Sequence, residues 1–133
     1  MIVESIRQAE RRTSGEVRVY VERRCSYIDA LDRAVELFAE LGMTETKERN
    51  GVLVYVALKD HQLAVYGDEG IHQKVGETWW KYEVIKMIRD FNRADYASGI
   101  AHCVQDIGNA LQQHFPYDRE DRNELKDDIE YGR

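Results

Sequence analysis

The chain has one proline, two cysteines, no long hydrophobic run and no basic cluster, and each scarcity closes a class of protein. With its only proline at 116, everything upstream is free of that helix and strand breaker. Cys25 and Cys103 are too few and too far apart in sequence for a disulfide framework or a metal knuckle, so they read as two reduced thiols. A disulfide between them would require Cα atoms within about 7 Å, which spacing alone leaves open. No apolar stretch approaches the roughly 20 residues of a membrane span, and no signal-peptide pattern opens the chain. The expectation is a cytoplasmic protein, with an excised domain of an exported or membrane-tethered protein as the alternative. Nucleic acid is excluded as a partner, because its phosphates need clustered Lys and Arg. The net charge is −6, and the pairs Arg11-Arg12 and Arg23-Arg24 are too short to reverse it locally.

What is present suits one domain. A chain of 133 residues that is 43% hydrophobic can build a single core. The charge is uneven, with residues 117–133 contributing −3, as much as residues 1–116. Apolar residues nearly vanish from 117 onward, so the reading is a domain over 1–116 and an acidic, disordered tail over 117–133. Docking of Leu125 or of the segment 129–131 is the alternative.

Hydrophobic periodicity orders the elements. Residues 2–12 suggest a short helix with Val3, Ile6 and Ala9 on one face, stopped by Thr13-Ser14-Gly15. Residues 16–23 alternate, with Val17, Val19 and Val21 on the apolar side, which predicts a strand with one buried and one charged face. Ser26 and Asp29 resemble a capping box for a helix with Leu31, Ala34, Val35, Phe38 and Leu41 on its stripe, ended by Gly42. The run from Gly51 to Leu58 is apolar on both faces and fits a central strand covered on each side. A polar turn at 59–62 leads to a returning strand at 63–66. Helices follow at 71–75, at 77–92 with Trp80, Val84, Met87, Ile88 and Phe91 inward, and after Asp95 with Ile100, Cys103, Val104, Ile107, Leu111 and Phe115 inward. Trp79 lies off that stripe and reads as flank packing or as an exposed anchor for a partner. The fold class is therefore α/β, a small mixed sheet with helices on both faces in Rossmann-like layers.

Topology then gathers residues distant in sequence. A strand–helix–strand unit makes the first two strands parallel, and the four-residue turn makes the third antiparallel to the second. The start of strand one (Ser14, Gly15, Glu16), the start of strand two (Arg49, Asn50, Gly51) and the end of strand three (Gly67, Asp68, Glu69, Gly70) should share one edge.

Four ordered motifs carry a resemblance: Thr13-Ser14-Gly15-Glu16-Val17, Arg49-Asn50-Gly51-Val52-Leu53, Gly67-Asp68-Glu69-Gly70, and Phe91 with Asp95-Tyr96-Ala97-Ser98-Gly99. As a set they resemble the TPM domain, a family named for a thylakoid lumen phosphatase, a photosystem II repair protein and an auxiliary protein of nematode acetylcholine receptors. The resemblance covers residues 1–116. It implies an α/β sandwich, divalent-cation binding near the acidic sheet edge and, from the plant members, acid phosphatase activity. Two departures matter. Many members are exported or membrane-tethered, and the family's glycine-rich stretch before the second strand is here the charged 44–49.

Asp68 and Glu69 stand just ahead of a helix, where carboxylates gain roughly 0.3–1 kcal/mol each from the macrodipole. As caps they need no other explanation. With the Asn50 side-chain oxygen they are also hard ligands suited to Ca²⁺, less so to Mg²⁺ with its near-octahedral demand. Both readings stay open. Glu16, Arg49, Gly67, Gly70, His72 and Asp95 are the other possible contributors to this edge. Glu69-x-x-His72 has the spacing of one arm of a di-iron site, without matching arms elsewhere. No triad order, nucleophile elbow, P-loop or dinucleotide fingerprint is present, and catalytic residues stay unassigned. The expected function is a non-catalytic binding or accessory module, monomeric, with a protein partner and a modest-affinity Ca²⁺ site. The alternative is a metal-dependent phosphatase in which Asp68 or Glu69 hold the ion and Arg49 steadies a phosphate oxygen.

Overall fold

The computed structural model describes residues 2–93, 95–116 and 129–131, the last three through their backbone pairing. The order is α1 (Ile2–Glu10), β1 (Glu16–Glu22), α2 (Ala30–Glu40), β2 (Gly51–Ala57), β3 (Gln62–Gly67), α3 (Glu69–Val75), α4 (Glu77–Asn92), α5 (Tyr96–His114) and β4 (Ile129–Tyr131). The sheet runs β3-β2-β1-β4. β1 is parallel to β2 with Glu16 opposite Gly51, and β2 is antiparallel to β3 with Val52 opposite Gly67.

The two-residue period of β2 divides its apolar run between two cores. Val52, Val54 and Val56, with Val17, Val19 and Val65, pack on Ile6, Met87, Ile100, Val104, Ile107 and Leu111 of α1, α4 and α5. Leu53, Tyr55 and Ala57 face α2 through Ala34, Leu37 and Phe38. The α/β layering with helices on both faces is as the sequence predicts, and α4 runs between the predicted residues.

Several local expectations need correction. β1 is buried on both faces, with Glu16, Arg18 and Glu22 at 2%, 6% and 6% exposure. Its charged side lies on the α2 side of the sheet, where Arg33 of α2 reaches Glu22. The cap of α2 is Asp29, whose carboxylate accepts from Leu31 N–H at 2.9 Å, so Ser26 lies outside the helix. Burial then falls on Ala30, Ala34, Leu37 and Phe38, while Leu31 and Val35 stand in solvent. In α1 the inward face is Ser5, Ile6, Ala9 and Glu10. In α4 Glu83 is buried and Ile88 is exposed.

The Thr13 hydroxyl contacts the carbonyls of Leu111 and Phe115 and accepts from Gly15 N–H at 3.0 Å, tying the start of β1 to the end of α5. Both cysteines are free thiols, Cys25 half-buried and Cys103 buried. No helix among the described residues is long and apolar enough to cross a membrane. Of the tail expected over 117–133, residues 117–128 and 132–133 lie outside the described residues, and Ile129–Tyr131 pairs with β1 as β4.

Candidate functional site

The three segments expected at one edge do meet. Backbone bonds prolong the β2–β3 ladder past the strand ends: Asp68 N–H to Gly51 O at 2.9 Å, and Gly70 N–H to Arg49 O at 2.8 Å. Arg49 adopts φ 53°, a left-handed conformation uncommon away from glycine. At Gly70 the chains approach so closely that a Cβ would collide with the carbonyls of Glu48 and Arg49, and at Gly67 it would collide with the Trp80 indole. Those two glycines are therefore required by contact.

Arg49 grips Asp68 as a fork, Nε to Oδ2 at 2.7 Å and Nη2 to Oδ1 at 2.9 Å, with Glu69 Oε1 at 3.6 Å from Nη1. That hydrogen bonding to Asp68 raises the guanidinium pKa above its ordinary value. The Asp68 side chain is 3% exposed and that of Arg49 42%, so a buried anion is neutralised by a cation on the solvent side. Asp68 Oδ1 also accepts from Glu69 N–H at 2.8 Å, which makes Asp68 the N-cap of α3. Asn50, 2% exposed, donates through Nδ2 to Ser14 Oγ at 3.3 Å, and its own N–H reaches Thr46 Oγ1 at 3.3 Å.

Asp68, Glu69, Asn50, Arg49, Gly67 and Gly70 thus come together, and Glu16 lies beside Gly51 in register. His72 is engaged elsewhere, its Nδ1 accepting from Trp80 Nε1 at 2.9 Å. Asp95 caps α5 through Ser98 N–H at 3.3 Å. Thr46, read in sequence as plain polar loop, orders the backbone before Asn50; no residue pattern announces that role. As a cation site the donors are right in kind, two carboxylates and an amide. The Arg49 guanidinium already fills the place beside Asp68, and no group of three or more His, Cys, Asp or Glu converges among the described residues.

These motifs and this fold have known counterparts. The family described as TPM domain matches residues 1–110. The chain belongs to the TPM domain family. The NMR structure of BA42 protein from the psychrophilic bacterium Bizionia argentinensis is similar, with a TM-score of 0.88 and 39% identity over 98% of this chain and 90% of that one. Comparison with curated proteins finds no match.

Among the described residues of this TPM domain four further carboxylates are buried, those of Glu10, Glu16, Glu22 and Glu83. At the far end of the sheet Glu22 is gripped by Arg33, Nε to Oε2 at 3.1 Å and Nη2 to Oε1 at 3.0 Å, and Tyr55 Oη donates to Oε2. Hydrogen bonding to Glu22 raises the Arg33 pKa, and burial raises that of Tyr55. Between α4 and α5 Glu83, 2% exposed, meets Lys86 Nζ at 3.0 Å, and Lys86 also meets Asp106 at 3.2 Å. Burial pushes the Glu83 carboxyl up to about 7, with Asp106 adding to the rise. Burial also holds the Cys103 thiol well above its usual range, which keeps it protonated and unreactive.

Proposed function

We propose that this TPM domain is a non-catalytic binding module for a protein partner, whose acidic sheet edge exchanges its internal cation, the Arg49 guanidinium, for Ca²⁺. The supporting observation is the asymmetry of the fork: the Asp68 carboxylate is 3% exposed and its arginine 42%. A carboxylate so buried needs a counter-charge. Here that charge sits on a flexible side chain at the solvent boundary, with Glu69 beside it and Asn50 next to it in sequence, its amide turned to Ser14. Ca²⁺ tolerates lax geometry and accepts carboxylate, amide, backbone and water oxygens, so it suits this set better than Mg²⁺. With few charged ligands and a guanidinium to displace, affinity should lie roughly between 10⁻⁵ and 10⁻³ M.

A Ca²⁺ titration followed by amide shifts tests the exchange. Shifts should cluster at Asn50, Gly51 and Gly67 to His72. Arg49→Gln, which removes the competitor, should tighten binding, and Asp68→Asn should abolish it. At 100 times the dissociation constant the ion should add about 2.7 kcal/mol to folding stability. Weaker or unchanged binding in Arg49→Gln, or shifts elsewhere on the domain, would leave Asp68 as a helix cap alone. Phosphomonoester hydrolysis should stay at background with or without divalent ions, because no nucleophile–base pair stands at this edge.

A further inference from the structure

β3 ends the sheet order, so its outer side faces no strand among the described residues. The bonds from Asp68 N–H to Gly51 O and from Gly70 N–H to Arg49 O set the phase of the antiparallel ladder. Gln62, Ala64 and Tyr66 therefore turn their main chain to β2, while Leu63, Val65 and Gly67 direct N–H and C=O outward. Edges of this kind are commonly blunted by charge, proline or a covering segment. This one lines a groove of about 780 Å³ walled by Leu31 of α2 on one side and Trp80, Val84 and Ile85 of α4 on the other. Leu31 and Ile85 are 43% and 52% exposed, and Ile28 and Ile88 extend the apolar surface into an adjoining recess of about 470 Å³ that shares Leu63. The rim is acidic, with Asp29, Glu69 and Glu77; its one lysine, Lys81, is 3.7 Å from Glu77.

We propose that an extended segment of a partner protein, apolar at alternate positions and flanked by Lys or Arg, pairs with β3 as an added strand. Outward main-chain groups at Leu63, Val65 and Gly67 supply its hydrogen bonds; the α4 wall of Trp80, Val84 and Ile85 receives its apolar face, and its other face lies along Leu31. The flanking bases answer the acidic rim. A second copy of this chain fits less well: its own α2 and α4 would meet the same walls, and its net charge is also −6. The proposal rests on the binding-module reading and names its surface, independent of the cation.

The probe is a fluorescent heptapeptide, Lys-Val-Thr-Val-Thr-Val-Lys, titrated by polarisation and by amide shifts. Saturable binding with shifts at Leu63, Val65 and Gly67 is expected. Leu31→Lys and Ile85→Lys alter exposed side chains, and Leu63→Pro removes an outward N–H at an edge position that tolerates proline. With folding confirmed by circular dichroism, each should weaken binding at least tenfold. So should N-methylation of alternate peptide valines or glutamate in place of the terminal lysines. No saturation at millimolar peptide, or affinity indifferent to the three groove variants, overturns the proposal. So does a dimer in sedimentation that Ile85→Lys dissolves, which would give the edge to a second copy. Peptide binding without a Ca²⁺ response removes the cation exchange alone; a Ca²⁺ response without peptide binding removes the docking edge alone.

Discussion

Two arginine–carboxylate forks sit at opposite ends of the sheet, and they differ in which partner meets water. In the Arg33–Glu22 pair both side chains are withdrawn, at 17% and 6% exposure, and Tyr55 adds a third hydrogen-bonding group. In the Arg49–Asp68 pair only the acid is withdrawn. The first fork joins β1, β2 and α2, and its arginine is also held by Glu36 at 2.6 Å. The second has a solvent-facing cation that can leave without opening the core. Similar pairing chemistry therefore locks the fold at one end and leaves a replaceable charge at the other.

The largest effect should come from breaking the closed fork. Glu22→Ala removes the acceptor of Tyr55, leaves Arg33 with Glu36 alone beside a buried void and should cost about 3 kcal/mol in urea unfolding. An equal or larger loss in Asp68→Asn would erase the distinction between the ends. Glu83 sharpens the comparison, because it is a buried carboxylate with a lysine in place of a fork. Its folded pKa of about 7 exceeds the ordinary carboxylate value, so the native state holds the extra proton between roughly pH 4.5 and 7. Its contribution is then fully present below about pH 4.5 and is lost as pH rises through 7, a decline on the order of 1–3 kcal/mol. Glu83→Gln keeps Lys86 on Asp106 and should flatten that part of the stability–pH curve. A curve as steep as wild type would show that Glu83 binds its proton alike in the folded and unfolded chain. The smallest effect should be Tyr55→Phe, which leaves Arg33 on Glu22 and should cost about 1 kcal/mol by thermal melting.

Most of the architecture was legible because it is written in periods: the alternation at Val17 and Val19, the two-sided run of β2 and the stripes of α4 and α5. The gathering of Asn50, Asp68 and Glu69 followed from strand direction alone. What escaped was polar burial. Glu22 and Arg18 alternate with valines as a solvent face would, and only their burial in the fold, with Arg33 of α2 on Glu22, reverses the meaning. Glu83 sits among exposed-type residues and is inward because helix rotation is set by packing against α5. Leu31, Val35 and Ile88 escaped in the opposite sense, since apolar residues on a stripe read as core when nothing marks which side is uncovered. The Arg49 fork was half legible: its proximity to Asp68 followed from the hairpin, its bidentate geometry from nothing in the chain order.

Gly67 was described as the place where a side chain would strike Trp80, and that contact has an optical consequence. The Trp80 indole lies over the β3 backbone, hydrogen-bonds His72 of α3 and meets Trp79 edge-on with ring centres 4.9 Å apart. Its emission therefore reads three elements at once: the strand edge, the short helix behind the acidic corner and the wall of the groove. With only two tryptophans in the chain, adjacent to each other, intrinsic fluorescence can follow events along that edge without any added label.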